Sequence, residues 1–240
     1  MILRSVISAL CIFGPLMSVA YGGNINGEAT YISFTVPGAL GTYPMGINAS
    51  MEVTGYYRAS STVDRGFLRE ADGTITTFDV GGGVSTEPQG INAAGDITGT
   101  YRAQPGQAAQ GFLRYAGGRT ILVPGTPAAF VSATPAAIND FDEIVVDYFH
   151  QGTTASVRSR TGVFTALPPP GPSATAINAS GSVVGFSPGP DGFTGFVADQ
   201  DGYWASIGPS GASSCGPQTI PEAINAAGVI AGTFTMNYLG

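Results

Sequence analysis

Two glutamates are the first residues whose placement could do chemistry. Glu87 and Glu222 stand four and two residues ahead of Ile91 and Ile224, in the stretch that leads into a recurring Ile-Asn pair. Carboxylates converging on one channel are the machinery of glycoside hydrolysis, one group acting as acid and the other as base or nucleophile. Their unequal offsets from the Ile-Asn pair put them at non-matching repeat positions, which equally fits ordinary solvated acids near a loop mouth. Asp199-Gln200-Asp201-Gly202 and Asn139-Asp140-Phe141-Asp142-Glu143 carry the oxygen donors of a calcium-loop fragment. Neither runs on to the far ligand that such a loop needs, and both fall on expected hairpin turns, where Asp is common anyway. His150 has no Ser or Cys elbow near it, and Cys215 lies in the loop Ser213-Ser214-Cys215-Gly216-Pro217 with no base located for it. With so few soft donors, no metal and no cofactor is expected. Asn48-Ala49-Ser50 and Asn178-Ala179-Ser180 match the glycosylation sequon, but both asparagines belong to the repeat and read as turn residues.

Bulk properties narrow the class. The chain has 240 residues, of which 10% are charged, with 36 Gly and 17 Pro. Those breakers are interleaved with short runs of Val, Ile, Phe and Tyr, the pattern of many strands joined by many turns. The formal net charge is −7, and every basic residue is arginine. An acidic chain with no basic stripe is a poor match for nucleic acid or an anionic membrane surface. Residues 1–20 read as a signal peptide: Arg4 is the basic head, Ser5 to Met17 the apolar run, and Ser18-Val19-Ala20 the small residues of a cleavage site. A secreted protein, extracellular or periplasmic, follows, with no membrane span after cleavage and a single domain over 21–240. Removal of Cys11 with the leader leaves Cys215 without an intramolecular disulfide partner.

The repeat decides the architecture. Ile-Asn recurs at 47–48, 91–92, 138–139, 177–178 and 224–225. Five residues after each Asn comes a β-branched residue (Val53, Ile97, Ile144, Val183, Ile230), and two further on stand Gly55, Gly99, Val146, Gly185 and Gly232. This alternation marks a half-buried strand. Asn92-Ala-Ala-Gly95, Asn178-Ala-Ser-Gly181 and Asn225-Ala-Ala-Gly228 have the form of a hairpin turn in which Asn bonds its own backbone and Gly takes the left-handed position. Asp142 and Met51 replace that Gly in the third and first copies, Met51 being the poorer fit. A second hairpin follows, announced by Gly66-Phe67-Leu68, Gly111-Phe112-Leu113 and Gly195-Phe196-Val197; the third unit has Ser156 in place of the Phe. Each unit closes on an aliphatic residue: Val36, Val80, Val123, Leu167, Ile207.

Four short strands in about 44 residues make the blade of a β-propeller. Whole blades are expected near 44–80, 87–123, 134–167 and 173–207. The C-terminus supplies the first two strands of another (220–235), and the N-terminus a last strand (29–36) without a first half. Joining the halves as a composite of 220–240 and 21–36 gives a five-bladed, all-β ring with no exposed edge. Its third strand is not evident; it must come from 21–27 or from Met236–Gly240, or be missing. The third unit is the least regular, with Asp147, His150, Arg158 and Arg160 where other units carry apolar or small residues.

The series Ile-Asn-x-x-Gly-x-Ile/Val-x-Gly-x-Tyr, then Gly-Phe-Leu, then a strand ending Val-Pro-Gly resembles the bacterial extracellular HAF repeat, over nearly all of residues 29–240. The triplet behind that name is replaced here by Arg65-Gly66-Phe67, Gln110-Gly111-Phe112 and Thr194-Gly195-Phe196. The resemblance implies an exported repeat protein and no particular activity. The functional expectation is a monomeric, non-catalytic module that binds a glycan or another extracellular protein. The alternative is a carbohydrate-active enzyme, or a lectin, at the channel mouth; exposed Tyr203 and Trp204 on one face would favour the lectin.

Overall fold

The computed structural model describes residues 18–21, 31–123, 132–149, 153–168, 173–189, 192–207 and 218–235. His150, Cys215 and the segments 22–30 and 236–240 lie outside the described residues. Every regular element described is a strand. β1 (Ser18–Tyr21) and β2 (Tyr31–Phe34) pair antiparallel. Blade one is β3 (Gly41–Ile47), β4 (Val53–Ser60), β5 (Val63–Arg69) and β6 (Ile75–Phe78). Blade two is β7 (Ser85–Ile91), β8 (Ile97–Arg102), β9 (Gln110–Arg114) and β10 (Thr120–Val123). Blade three is β11 (Ser132–Ile138), β12 (Ile144–Phe149), β13 (Thr153–Arg158) and β14 (Phe164–Ala166). Blade four is β15 (Ser173–Ile177), β16 (Val183–Gly189), β17 (Gly192–Ala198) and β18 (Trp204–Ile207). A last hairpin joins β19 (Gln218–Ile224) to β20 (Ile230–Thr235). Within each blade the strands pair in sequence order, and one parallel bridge, Asp64 to Ser85, links blades one and two.

The first strands of successive blades lie side by side, so β3, β7, β11, β15 and β19 are the inner strands. Each has a bulge at the same place, on Met45, Gln89, Ala136, Thr175 and Glu222. In four of the five a proline precedes it, tolerated because the strand is an edge and the bulge interrupts the ladder. The bulge pushes backbone against the neighbouring strand, which explains the repeat's second glycine. A Cβ on Gly55, Gly99, Gly185 or Gly232 would sit 2.1–2.3 Å from the carbonyl oxygen of Tyr43, Glu87, Ser173 or Ile220. In those four blades only glycine accepts that approach, whereas Val146 holds the place in the third.

The apolar core lies in the seams between blades. Leu68, Phe78 and Val80 of blade one meet Ile91, Ile97, Tyr101 and Phe112 of blade two. The third blade meets the fourth through Val145, Val157 and Leu167 against Ile177, Val183 and Phe196. Phe67, Phe112 and Phe196 are fully buried, each worth roughly 2–3 kcal/mol of transfer free energy. Each pairs across the strands with a glycine of the bulge contact: Gly55 with Phe67, Gly99 with Phe112, Gly185 with Phe196. Blade three has Val146 opposite Ser156 instead. The irregular third unit is therefore a compensated swap, the larger residue having changed strands.

β2 occupies the outer half of the seam ahead of blade one. Phe34 meets Phe67 edge-on at 5.8 Å, as Phe78 meets Phe112 at 6.4 Å. Val36 is buried and donates its N–H to Thr42 Oγ1 at 3.1 Å, as Val80 does to Thr86 Oγ1 at 3.0 Å. Among the described residues nothing covers the inner half of that seam: Ile47 is 52% exposed, against 8% for Ile91 and 8% for Ile138. β2 takes its strand partner from Ser18–Tyr21, which overlaps the anticipated 21–27 only at Tyr21 and begins inside the segment read as leader. Among the described residues no strand pairing joins β20 to β1 or β2.

Candidate functional site

The recurring asparagines are more than turn residues. Asn92 Oδ1 accepts from the N–H of Ala94 and Asp96, closing the hairpin turn; the third, fourth and fifth copies repeat both bonds, and Asn48 Oδ1 accepts from Glu52 N–H. The side-chain amide then reaches the next blade. Nδ2 donates from Asn48 to Asn92 O at 3.0 Å, from Asn92 to Asn139 O at 3.3 Å, from Asn139 to Asn178 O at 3.0 Å, and from Asn178 to Asn225 O at 3.1 Å. An amide is the one short side chain with both an acceptor and a donor to divide in this way. Sequence spacing revealed the turn but not the rung between blades. Both sequon asparagines, Asn48 and Asn178, have their amide nitrogens occupied in the ladder.

The acids of the calcium-like fragments are also structural. Asp140 accepts from Ala93 N–H at 2.8 Å in the preceding blade, and Asp142 from Asn92 Nδ2 at 3.0 Å while pairing with Arg160 at 3.3 Å. Burial, and then the nearby Asp96 carboxylate, hold the Asp142 carboxyl above its usual range. Glu143 accepts from Asn139 Nδ2 and from Gln200 Nε2 of blade four. Asp199 Oδ1 is spent on the N–H groups of Asp201 and Tyr203. Met51 and Asp142 both adopt the left-handed conformation, φ 62° and 60°.

Of the two glutamates, Glu87 lies on β7 opposite Thr100, and Glu222 falls on the bulge of β19. Glu87 accepts from the Ser85 hydroxyl and pairs with Arg102 at 3.1 Å; Glu222 is exposed, 3.5 Å from the Thr233 hydroxyl. They share no partner.

Around Glu87 the structure assembles a group that the spacing of residues did not reveal. Tyr43 on β3 stacks on Tyr56 of β4, ring centroids 4.8 Å apart and 15° from parallel. Arg58 lies 5.8 Å from the centre of the Tyr43 ring and pairs with Asp64 at 3.2 Å. Arg65 pairs with Asp79 at 3.1 Å and donates to Gly83 O. Burial, then Glu87 and Asp64, push the Tyr56 phenol upward, so it stays a donor at physiological pH. These groups occupy the face where the inner strands begin, opposite the asparagine turns. The register of the β3–β4 hairpin, which places Tyr43 beside Tyr56, was the signal available.

Further along that face Asp147 of β12 is buried between blades three and four. It accepts from the Ser173 hydroxyl and from Ala174 N–H at 3.0 Å. Burial pushes its carboxyl up to about 6, against the two hydrogen bonds that lower it. Arg158 does not mark divergence: it holds the register place of Arg69 and Arg114, opposite the first residue of the second strand. Arg69 and Arg114 cover Phe34 and Phe78 of the preceding repeat, at 5.2 and 4.6 Å. Trp204 packs parallel to Phe196, 6.3 Å away, leaving Tyr203 exposed without it.

No family model matches the chain, and no curated protein does, so the likeness to HAF repeats rests on the residues quoted for it. Solved structures do match. A catalytically inactive variant of virginiamycin B lyase from Staphylococcus aureus, solved with quinupristin, aligns with a TM-score of 0.51 and 12% identity, over 91% of this chain and 83% of the lyase chain. The selenomethionine form of the same enzyme gives 0.50 and 12%, over 92% and 84%. At that identity the likeness concerns the fold alone: the chain is an all-β, propeller-like protein.

Proposed function

We propose that this chain is a secreted, non-catalytic binding module on a five-bladed ring, with the strand-start face of blades one and two as its contact surface. The observation that carries the binding role is the fixed group of Tyr43, Tyr56, Arg58, Asp64, Glu87 and Arg102, partly open to solvent and tied internally by ion pairs. Glu87 is anchored there by Ser85 and Arg102 as a hydrogen-bond acceptor, and Glu222 sits at a different register position. That arrangement fits recognition better than paired acid–base work. Secretion rests on the Arg4 head, the apolar run and Ser18-Val19-Ala20. Cleavage after Ala20 removes most of β1, so in the mature chain β2 is held by Phe34 and Val36 against blade one.

Five-blade closure is supported by complementary ends. Among the described residues, β2 is an outer strand with no inner half beside Ile47, and β19–β20 are two inner strands with no outer half. Seated together they would complete one blade, and the monomer would have no open edge. The test of the functional reading is incubation of the pure protein with a broad panel of glycans, followed by reducing-end assay. No release is expected; release that is lost in Glu87→Gln or Glu222→Gln would establish the carbohydrate-active enzyme instead.

A further inference from the structure

We infer that the ligand of the strand-start face is a neutral oligosaccharide, its ring face laid on the Tyr43–Tyr56 pair and its hydroxyls bonded by the flanking ion pairs. The inference rests on the binding-module reading and deepens it. Tyr43 is 38% exposed, and its ring lies over Gly41, where an added Cβ would be 2.9 Å from the phenol oxygen. An aromatic plate held flat in this way offers apolar area at little cost in conformational entropy. The ring is not demanded by the fold. At the place of Tyr43 the other blades carry Glu87, Thr134, Ser173 and Ile220, and at the place of Tyr56 they carry Thr100, Asp147, Phe186 and Thr233.

Charge points to the ligand class. Two pairs flank the plate, Arg58–Asp64 and Arg102–Glu87, and Arg65–Asp79 stands at the same end of blade one, every side chain between 20% and 45% exposed. The group is therefore balanced, and a polyanion or polycation would meet as much repulsion as attraction. Each pair also presents fixed donors beside fixed acceptors, which is what a chain of hydroxyls, each both donor and acceptor, can satisfy. The Tyr56 hydroxyl, within the field of the Glu87 and Asp64 carboxylates, adds a donor.

The full chain would be titrated calorimetrically with maltohexaose, cellohexaose, xylohexaose and chitohexaose in turn, and with polygalacturonate as the anionic counterpart, with reducing ends assayed in the same samples. At least one neutral hexaose is expected to bind. Tyr43→Ala should weaken it by more than about tenfold and Glu87→Gln by about tenfold, while Tyr203→Ala binds as the parent does. The far-UV spectrum of each variant should match the parent's. No heat with any neutral hexaose, binding of polygalacturonate alone, or undiminished binding by a folded Tyr43→Ala would overturn the inference and leave the non-catalytic reading standing. Release of reducing ends from a bound hexaose would support the sugar site and overturn the non-catalytic reading.

Discussion

At the scale of single residues, two buried polar side chains set what the seams tolerate. Asn139 is 4% exposed; its oxygen satisfies two backbone N–H groups, and its amide satisfies the Asn178 carbonyl. Asn139→Ala leaves three backbone groups short, which should cost about 2–4 kcal/mol in a denaturant titration. Asn225→Ala, at the exposed end of the ladder, should cost about 1 kcal/mol. Equal losses at the two positions would show that the rungs between blades contribute little. Asp147 makes stability depend on pH. Its folded pKa of about 6 lies above the ordinary 3.8, so between those values the folded chain holds a proton that the unfolded chain has released. That contribution is fully present below about pH 4 and is lost as pH rises through 6, at which point the buried carboxylate costs roughly 3 kcal/mol. Asp147→Asn keeps an acceptor for Ala174 and should be more stable than the parent at pH 7.5, with the difference shrinking toward pH 4.5. An unchanged pH slope in that variant would contradict the assignment.

At the scale of elements, the blade is a hairpin pair bent by its bulge. The sequence made the strands and turns readable because the repeat writes them five times. It left the bulge unread, because one extra residue in β3, β7, β11, β15 and β19 does not disturb the spacing counted back from Ile-Asn. Glu222 is itself that extra residue, whereas Glu87 lies two residues ahead of it in β7. Nor could spacing show that Val146 and Ser156 compensate, since only the pairing of β12 with β13 makes them neighbours. A double-mutant cycle tests this. Ser156→Phe alone overfills the seam, and Val146→Gly alone empties it, each costing about 1–3 kcal/mol. Together they restore the Gly–Phe pair of the other blades, with a favourable coupling of about 1–3 kcal/mol. Additive losses would mean that the third blade packs in its own way. The Tyr43–Tyr56 plate stayed hidden for the same reason: its two rings meet through register, not through proximity in sequence.

At the scale of the molecule, blades are joined by an asparagine ladder at one face and by apolar seams through the middle. The ladder has two loose ends among the described residues. Asn225 Nδ2 has no acceptor, and the Asn48 carbonyl receives no donor from a preceding blade. Closure as proposed supplies the fifth rung, from Asn225 to Asn48, and covers Ile47. In the seams already formed, a Cβ on Gly46 would lie 3.3 Å from the Ile91 nitrogen, and one on Gly90 3.4 Å from the Ile138 nitrogen. Ala223 holds the place of Gly46 and Gly90, so in the closed ring its side chain would stand against Ile47. The most direct measurement is oxidation of an Ala223→Cys, Ile47→Cys variant in a Cys11→Ser, Cys215→Ser background, followed by non-reducing electrophoresis and mass spectrometry. Closure predicts one intramolecular disulfide between positions 47 and 223 in a monomer. Free thiols, or a ladder of disulfide-linked oligomers, would contradict it.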